Sequence, residues 1–140
     1  MPMTMHVDVV SAEESIYSGT AEMIAAPAEE GEVGVYAGHL QMLVRLNPGE
    51  LRIQEKEGAE PQPVFVSGGV MEVQPRHVTV LADTAVRAKD LDEAEALEAK
   101  KRAEEALADK QADFDYAKAQ AELAEAAARL QMIEKLRRRR

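Results

Sequence analysis

The chain of 140 residues has no cysteine, so a disulfide framework and thiolate chemistry are both excluded. It has no glycine after Gly69 and no proline after Pro75, although eight glycines and six prolines lie up to those points. No apolar run approaches the roughly 20 residues that cross a bilayer as a helix. The opening MPMTMHVDVV has neither the basic nor the apolar segment of a secretory signal. The expectation is a soluble chain without direct membrane insertion, any membrane contact being made through a partner. Positive charge is scarce as well. Seventeen Lys and Arg stand against 26 Asp and Glu, a net charge of -9. Nonspecific nucleic-acid binding needs a basic face and is not expected. A chain of this length suits one domain, or one domain with a small appendage, and can bury roughly two thirds of its unfolded surface.

What is present changes character partway along. Residues 1–88 hold twenty Val, Ile and Thr, whereas residues 89–140 hold one, Ile133, together with fourteen alanines. β-Branched side chains pack well on pleated sheets and alanine is the least costly helix former. The pattern predicts a β domain followed by a helical one, with the boundary near Arg87-Ala88-Lys89-Asp90. In the first half Met5, Val7 and Val9 alternate with His6 and Asp8, as in a half-buried strand. MLVRL-NPGE-LRIQE reads as a hairpin around a Pro-Gly turn, and PVFVSGGVMEVQPRHVTVLAD as three short strands. Short strands with turn signals about every ten residues point to a sandwich or barrel.

In the second half Asp90 and Glu93 form a capping signature for a helix over residues 91–108. Ala96, Ala99, Ala103 and Ala106 share one stripe of it. The polar stretch 109–113 makes a turn, Asp113 caps a second helix, and Tyr116, Ala119, Leu123, Ala126, Leu130 and Ile133 form its stripe. The two helices pack as an antiparallel hairpin. Alanine faces allow close approach but bury little area, so such a pair is marginal by itself.

No stretch carries a catalytic signature. GEVGVYAGHL, residues 31–40, spaces its glycines as GxxGxxxG without the Lys and Ser/Thr of a phosphate loop, and reads as turns around a short strand. His39 has no ligand-spaced neighbours, nor have His6 and His77. Ser67 in VSGGV is not a nucleophile elbow. No metal or cofactor is expected. The end of the chain is basic: from Arg129 onward there are six basic residues against one acid, Glu134. It reads either as a solvated last turn that complements the helix dipole or as a contact with an acidic protein.

Over nearly its whole length the chain resembles the epsilon subunit of bacterial F-type ATP synthase. The resemblance rests on MTMHVDVVSAEESIYSG, EGEVGVYAGH, NPGELRI, FVSGGVMEVQP, VTVLADTAVRAKDLDEAEALEAKKRAEEAL and DYAKAQAELAEAAARL, in that order and spacing. It implies a β-sandwich of about ten short strands over residues 1–88 and a regulatory helical hairpin over 89–140. It implies a noncatalytic central-stalk subunit of a proton-translocating enzyme, at the cytoplasmic face of the bacterial plasma (inner) membrane. The implied partners are the gamma subunit, the rotor-ring subunits and the catalytic beta and alpha subunits, whose ATP hydrolysis the helices inhibit.

Carried over by position, Glu30, Gly31 and Glu32 face the rotor ring. Ser11, His39 and Val44 lie near gamma. Arg129, Lys135, Arg137, Arg138, Arg139 and Arg140 supply the inhibitory contact. The chain departs from the family pattern at Ala37, at Gln41-Met42 and in its four-arginine end. Some members bind ATP through Leu/Ile-Asp-x-x-Arg-Ala in the first helix. Here Leu91-Asp92-Glu93-Ala94-Glu95-Ala96 places Glu95 at the arginine position, so weak or no ATP binding is expected. The competing reading is a free-standing interaction module whose basic hairpin grips an acidic protein.

Overall fold

The computed structural model describes residues 3–108 and 116–138. The chain divides into two compact units between Ala88 and Lys89. The first contains ten strands: β1 Met5–Val10, β2 Ser15–Ala21, β3 Met23–Ala28, β4 Gly31–Tyr36, β5 Met42–Leu46, β6 Gly49–Gln54, β7 Gln62–Val66, β8 Gly69–Val73, β9 His77–Ala82 and β10 Ala85–Arg87.

The strands form a continuous sheet folded on itself, in the order β10-β7-β6-β3-β5-β8-β9-β1-β2, with β4 on the other side of β3. The two layers of this β-sandwich meet at one register pair, Ala28 with Leu46, between β3 and β5. β3 belongs to both layers: Met23–Ala25 pair with β6 and Ala28 with β5. Between them stands Pro27, which has no N–H for a ladder; its carbonyl accepts from Asn47 N–H at 2.8 Å. Met5, Val7 and Val9 point inward, as their alternation requires, against Ile24, Leu51, Met71 and Val80, all fully buried.

The expected hairpin across residues 42–54 does not form. β5 pairs with β8, and β6 pairs with β3 and β7. Asn47-Pro48 instead carries the chain from one layer to the other. Gly68-Gly69 makes a second crossing, between β7 and β8, with φ of 125° and 134°. A Cβ on Gly69 would lie 2.1 Å from the Leu81 carbonyl oxygen, so only glycine fits there. β1 and β9 run parallel, with His6 level with His77.

A 3-10 turn, Ala88–Asp90, spans that division, and the second unit continues with α1 Glu93–Ala108 and α2 Tyr116–Arg138. Because the 3-10 turn takes up Asp90, the cap moves to Asp92. Its carboxylate accepts from Glu95 N–H at 3.2 Å, and its carbonyl accepts from Ala96 N–H at 3.1 Å. The same acid-x-x-Glu signature thus operates two residues later than expected. The helices form an antiparallel hairpin, since Arg137 near the end of α2 pairs with Glu93 at the start of α1. Its seam consists of Ala96 and Ala103 on α1 and Ala119, Ala126 and Met132 on α2. Ala106 and Tyr116, assigned to that seam by spacing, are exposed. The expected turn at 109–113, with Asp113, lies outside the described residues.

Candidate functional site

The turn between β3 and β4 is as tight as two residues allow: Ala28 pairs with Gly31, leaving Glu29 and Glu30 at the tip. Gly31 has φ 124°, which favours glycine. The three carboxylates there are not equivalent. Glu32 is paired with Arg52, and Glu29 lies 3.9 Å from Arg45 Nε. Glu30 has no ion-pair partner among the described residues and stands exposed beside Gly31.

Beyond β4 the chain turns through Ala37-Gly38. Gly38, with φ 88°, donates its N–H to the Pro75 carbonyl at 2.7 Å, and His39 donates its N–H to Tyr36 at 3.2 Å. His39 Nδ1 lies 2.7 Å from the Leu40 carbonyl. A carbonyl only accepts, so Nδ1 carries the proton. Around this turn three large apolar side chains face solvent: Tyr36 at 67%, Leu40 at 82% and Leu43 at 73% exposure. Val44, by contrast, packs against the sandwich core. The strand pleat points Leu43 outward where Val44 points in. The family resemblance pointed to Val44; no local pattern distinguished its outward neighbour.

Ser11 follows β1 and closes a small turn, its N–H donating to the Glu14 carbonyl at 2.9 Å. Val10 lies level with Leu81, Val70 and Arg45, while Met42 lies level with Val73, Val78 and Val7. Ser11 and His39 therefore sit at opposite ends of one layer, separated by at least about 13 Å along the strands. Ser11 and His39 do not share one spot.

In the helical unit Lys135, Arg137 and Arg138 occupy the last turn of α2, where cations complement the helix dipole. Arg137 pairs with Glu93, and Arg138 with Glu134 at 2.6 Å. Arg129 lies apart from them. It is partly buried, 3.0 Å from Glu125, and lines a cleft of about 400 Å³ between the helices with Glu95, Arg102, Glu122 and Glu125. Three carboxylates against two guanidinium groups leave that cleft net acidic. Arg139 and Arg140 lie outside the described residues.

One polar cluster decorates the outer face of the sandwich. Asp8 on β1 has its Oδ1 3.0 Å from His6 Nε2 and its Oδ2 3.1 Å from His77 Nε2. The Ser18 hydroxyl across from Asp8 does most to hold that carboxyl below the ordinary aspartate range; burial opposes it, and His6 and then His77 add to the lowering. Tyr17 shows the reverse. Burial first, and then its 2.8 Å hydrogen bond to Glu55, push its hydroxyl up to about 12. Among the described residues no helix is long and apolar enough to cross a membrane.

A β-sandwich with three exposed apolar side chains at one turn, followed by a charged helical hairpin, defines a two-unit β-plus-α protein. Comparison with known proteins identifies which kind. Residues 4–88 match the model of the ATP synthase delta/epsilon chain β-sandwich domain, and residues 89–134 match that of its long α-helix domain. An ATP synthase epsilon chain of Thioalkalivibrio sulfidiphilus is 70% identical over 138 residues, covering 99% of this chain and 98% of the relative. That of Alkalilimnicola ehrlichii is 60% identical over 136 residues, covering 97% and 96%. A chain in the mitochondrial ATP synthase of Euglena gracilis has the same fold, with TM-score 0.70 and 23% identity over 98% of this chain and 81% of that one. The chain belongs to the ATP synthase delta/epsilon chain family, as a noncatalytic subunit of the epsilon type.

Proposed function

We propose that this chain couples the gamma subunit to the membrane rotor ring in a proton-translocating ATP synthase, and that its helical hairpin restrains ATP hydrolysis by the catalytic alpha and beta subunits. It works at the cytoplasmic face of the bacterial plasma membrane, held there by its partners. The observation that carries this reading is the end-to-end likeness to bacterial epsilon chains, spanning both structural units.

The local geometry supports particular roles. The surface around His39, with Tyr36, Leu40 and Leu43, offers apolar area to gamma. The Glu30-Gly31 tip offers an unshielded carboxylate to a polar loop of the rotor ring. The basic end of α2 offers cations to an acidic segment of a catalytic subunit.

A tagged chain expressed in its own host and purified from solubilised membranes tests the reading. Gamma, rotor-ring and catalytic subunits should co-purify, and Leu40→Glu with Leu43→Glu should release gamma. Recovery of the tagged chain only from the soluble fraction, without those subunits, would favour a free-standing module.

A further inference from the structure

β4 is the open end of its layer. It pairs with β3 alone, from Met23 with Tyr36 to Ala28 with Gly31, and among the described residues no strand lies along its other side. Edge strands are ordinarily blunted by lysine, proline or a bulge. The strand GEVGVY has no lysine or proline, and its register with β3 is unbroken. In an antiparallel pair every second residue turns its N–H and C=O away from the partner, so β4 offers a row of backbone donors and acceptors. A Cβ on Gly34, in the middle of the strand, would meet nothing within 4 Å. At the Tyr36 end lies a cavity of about 380 Å³, lined by Glu22, Met23, Tyr36, Gln54, Glu57 and Gly58. Hydrogen bonds frame it. Glu22 N–H donates to the Gln54 carbonyl at 2.9 Å, and Gln54 Nε2 donates to the carbonyls of Lys56, at 2.7 Å, and Ala59. Met23 and Tyr36 supply apolar walls. Glu22 and Glu57 supply carboxylates that have no ion-pair partner among the described residues.

We propose that the β4 edge takes up an extended basic segment of a partner protein as an added strand, with a lysine or arginine of that segment seated in the cavity beside Tyr36. Main-chain hydrogen bonds hold such a strand and a side-chain pocket selects it. A cationic head fits between the Glu22 and Glu57 carboxylates, while its aliphatic stem covers Met23 and the Tyr36 ring. Lys56, in the same turn as Glu57, does not line the cavity, and Arg52 is taken up by Glu32. At the far end of the strand Glu30 adds a further free carboxylate. An acidic segment would be repelled at both ends. A second copy of this chain is a poorer occupant, because it brings a net charge of -9 and no basic residue on its own β4. The site is defined by backbone and charge, so it goes beyond the contacts proposed above and does not depend on which subunits the chain joins.

The probe is a synthetic ten-residue peptide of alternating valine and threonine with an arginine near each end, so that it can enter in either direction. It is titrated into the full-length chain labelled with nitrogen-15. The β4 amides should shift saturably and gain protection from hydrogen exchange, and those of β8 should not. Two altered peptides separate the parts of the site without touching the protein. N-methylation of the peptide's amides keeps its charge but removes its backbone donors, and should abolish binding. Citrulline in place of both arginines keeps the shape but removes the charge, and should weaken binding about tenfold, the scale of a charge-assisted hydrogen bond. Glu22→Gln with Glu57→Gln should cause a similar loss for the arginine peptide. The proposal is overturned by unmoved β4 amides, or by equal binding of the N-methylated or the citrulline peptide. It is overturned as well if the β4 amides gain protection as the chain alone is concentrated, which would assign the edge to a second copy.

Discussion

Arg87, the last residue of β10, donates from Nε and Nη2 to the backbone carbonyl of Ile16 on β2, at 3.0 and 2.6 Å and across 71 residues of sequence. β10 and β2 are the two ends of the folded sheet, so this side chain fastens the sandwich opposite the Ala28–Leu46 junction. Arg87→Ala should lower stability by about 1–2 kcal/mol, the scale of a charge-assisted hydrogen bond. Arg87→Lys should recover only part of it, since lysine lacks the forked donors. Urea denaturation of the three proteins, compared at equal m-value, measures the effect.

Gly69 and Gly34 should respond oppositely to alanine. At Gly69 the new methyl would meet the Leu81 carbonyl and the backbone would hold φ 134°. A loss of about 2–4 kcal/mol is expected from strain and displaced pairing. At Gly34, inside β4, nothing lies within 4 Å of the added carbon. There Gly→Ala should change stability by about 0.5 kcal/mol or less, or raise it slightly. Thermal melting of both variants separates the cases.

These two glycines also mark the limit of what the sequence could disclose. The alternation of Met5, Val7 and Val9 reports burial directly, because a strand's period is local. The choice of partner is not local. Asn47-Pro48-Gly49 gives the same turn signal whether the next strand folds back on its predecessor or enters the other layer. The structure takes the second course because β5 finds β8 and β6 finds β7. The Glu30-Gly31 tip was legible for the same reason as β1: a turn is written in its own residues. The outward aim of Leu43 depends on pleat register, and the meeting of His6, Asp8 and His77 on a parallel pair that joins residues more than seventy positions apart. Asp90 and Asp92 carry equivalent capping signatures, and only the short 3-10 turn decides between them.

Tyr17 predicts a signature at high pH. Its hydroxyl is raised from 10.0 to about 12 in the folded chain, so the neutral form is favoured by folding. That stabilisation is complete below the unfolded value near 10 and is lost as pH rises through 12. Tyr17→Phe, which removes the hydrogen bond to Glu55, should be less stable by about 0.5–1 kcal/mol at neutral pH. The gap should narrow between pH 10 and 12. Stability at several pH values, with the tyrosinate absorbance followed in parallel, decides it. The prediction fails if the gap is constant over that range.

ATP should not be a tight ligand of the isolated chain. The cleft between the helices presents Glu95, Glu122 and Glu125 against Arg102 and Arg129, and a polyphosphate would meet net negative charge there. Calorimetry at millimolar nucleotide should show no saturable heat, and Glu95→Gln should not weaken whatever residual binding exists. Submillimolar binding would show that other residues hold the nucleotide.

The basic end of α2 should act as a brake under the proposed function, and Glu93 should oppose it. Arg137 is paired with Glu93 in the closed hairpin. Several exposed pairs of about 0.2–1 kcal/mol each, acting together, can bias a two-position element by about 1–3 kcal/mol. Replacing the arginines at 137–140 with alanine should raise ATP hydrolysis by the assembled enzyme several-fold at low salt. Glu93→Gln, which releases Arg137, should lower it. Both differences should shrink at high salt, because screening acts within about 8 Å at physiological ionic strength. Rates measured side by side across a salt series test this. Equal rates throughout would leave the four arginines as a solvated helix end.

The membership of β3 in both layers has a mechanical consequence. A pull on the Glu29-Glu30 tip enters the domain through both β3 and β4, and the part carried by β3 divides at Pro27. One share runs along the ladder to β6 and the other crosses the Ala28–Leu46 pair into β5. Neither layer then bears the load alone. A tip mounted in this way can transmit torque without peeling the sheet, which a hairpin anchored in a single layer would not do.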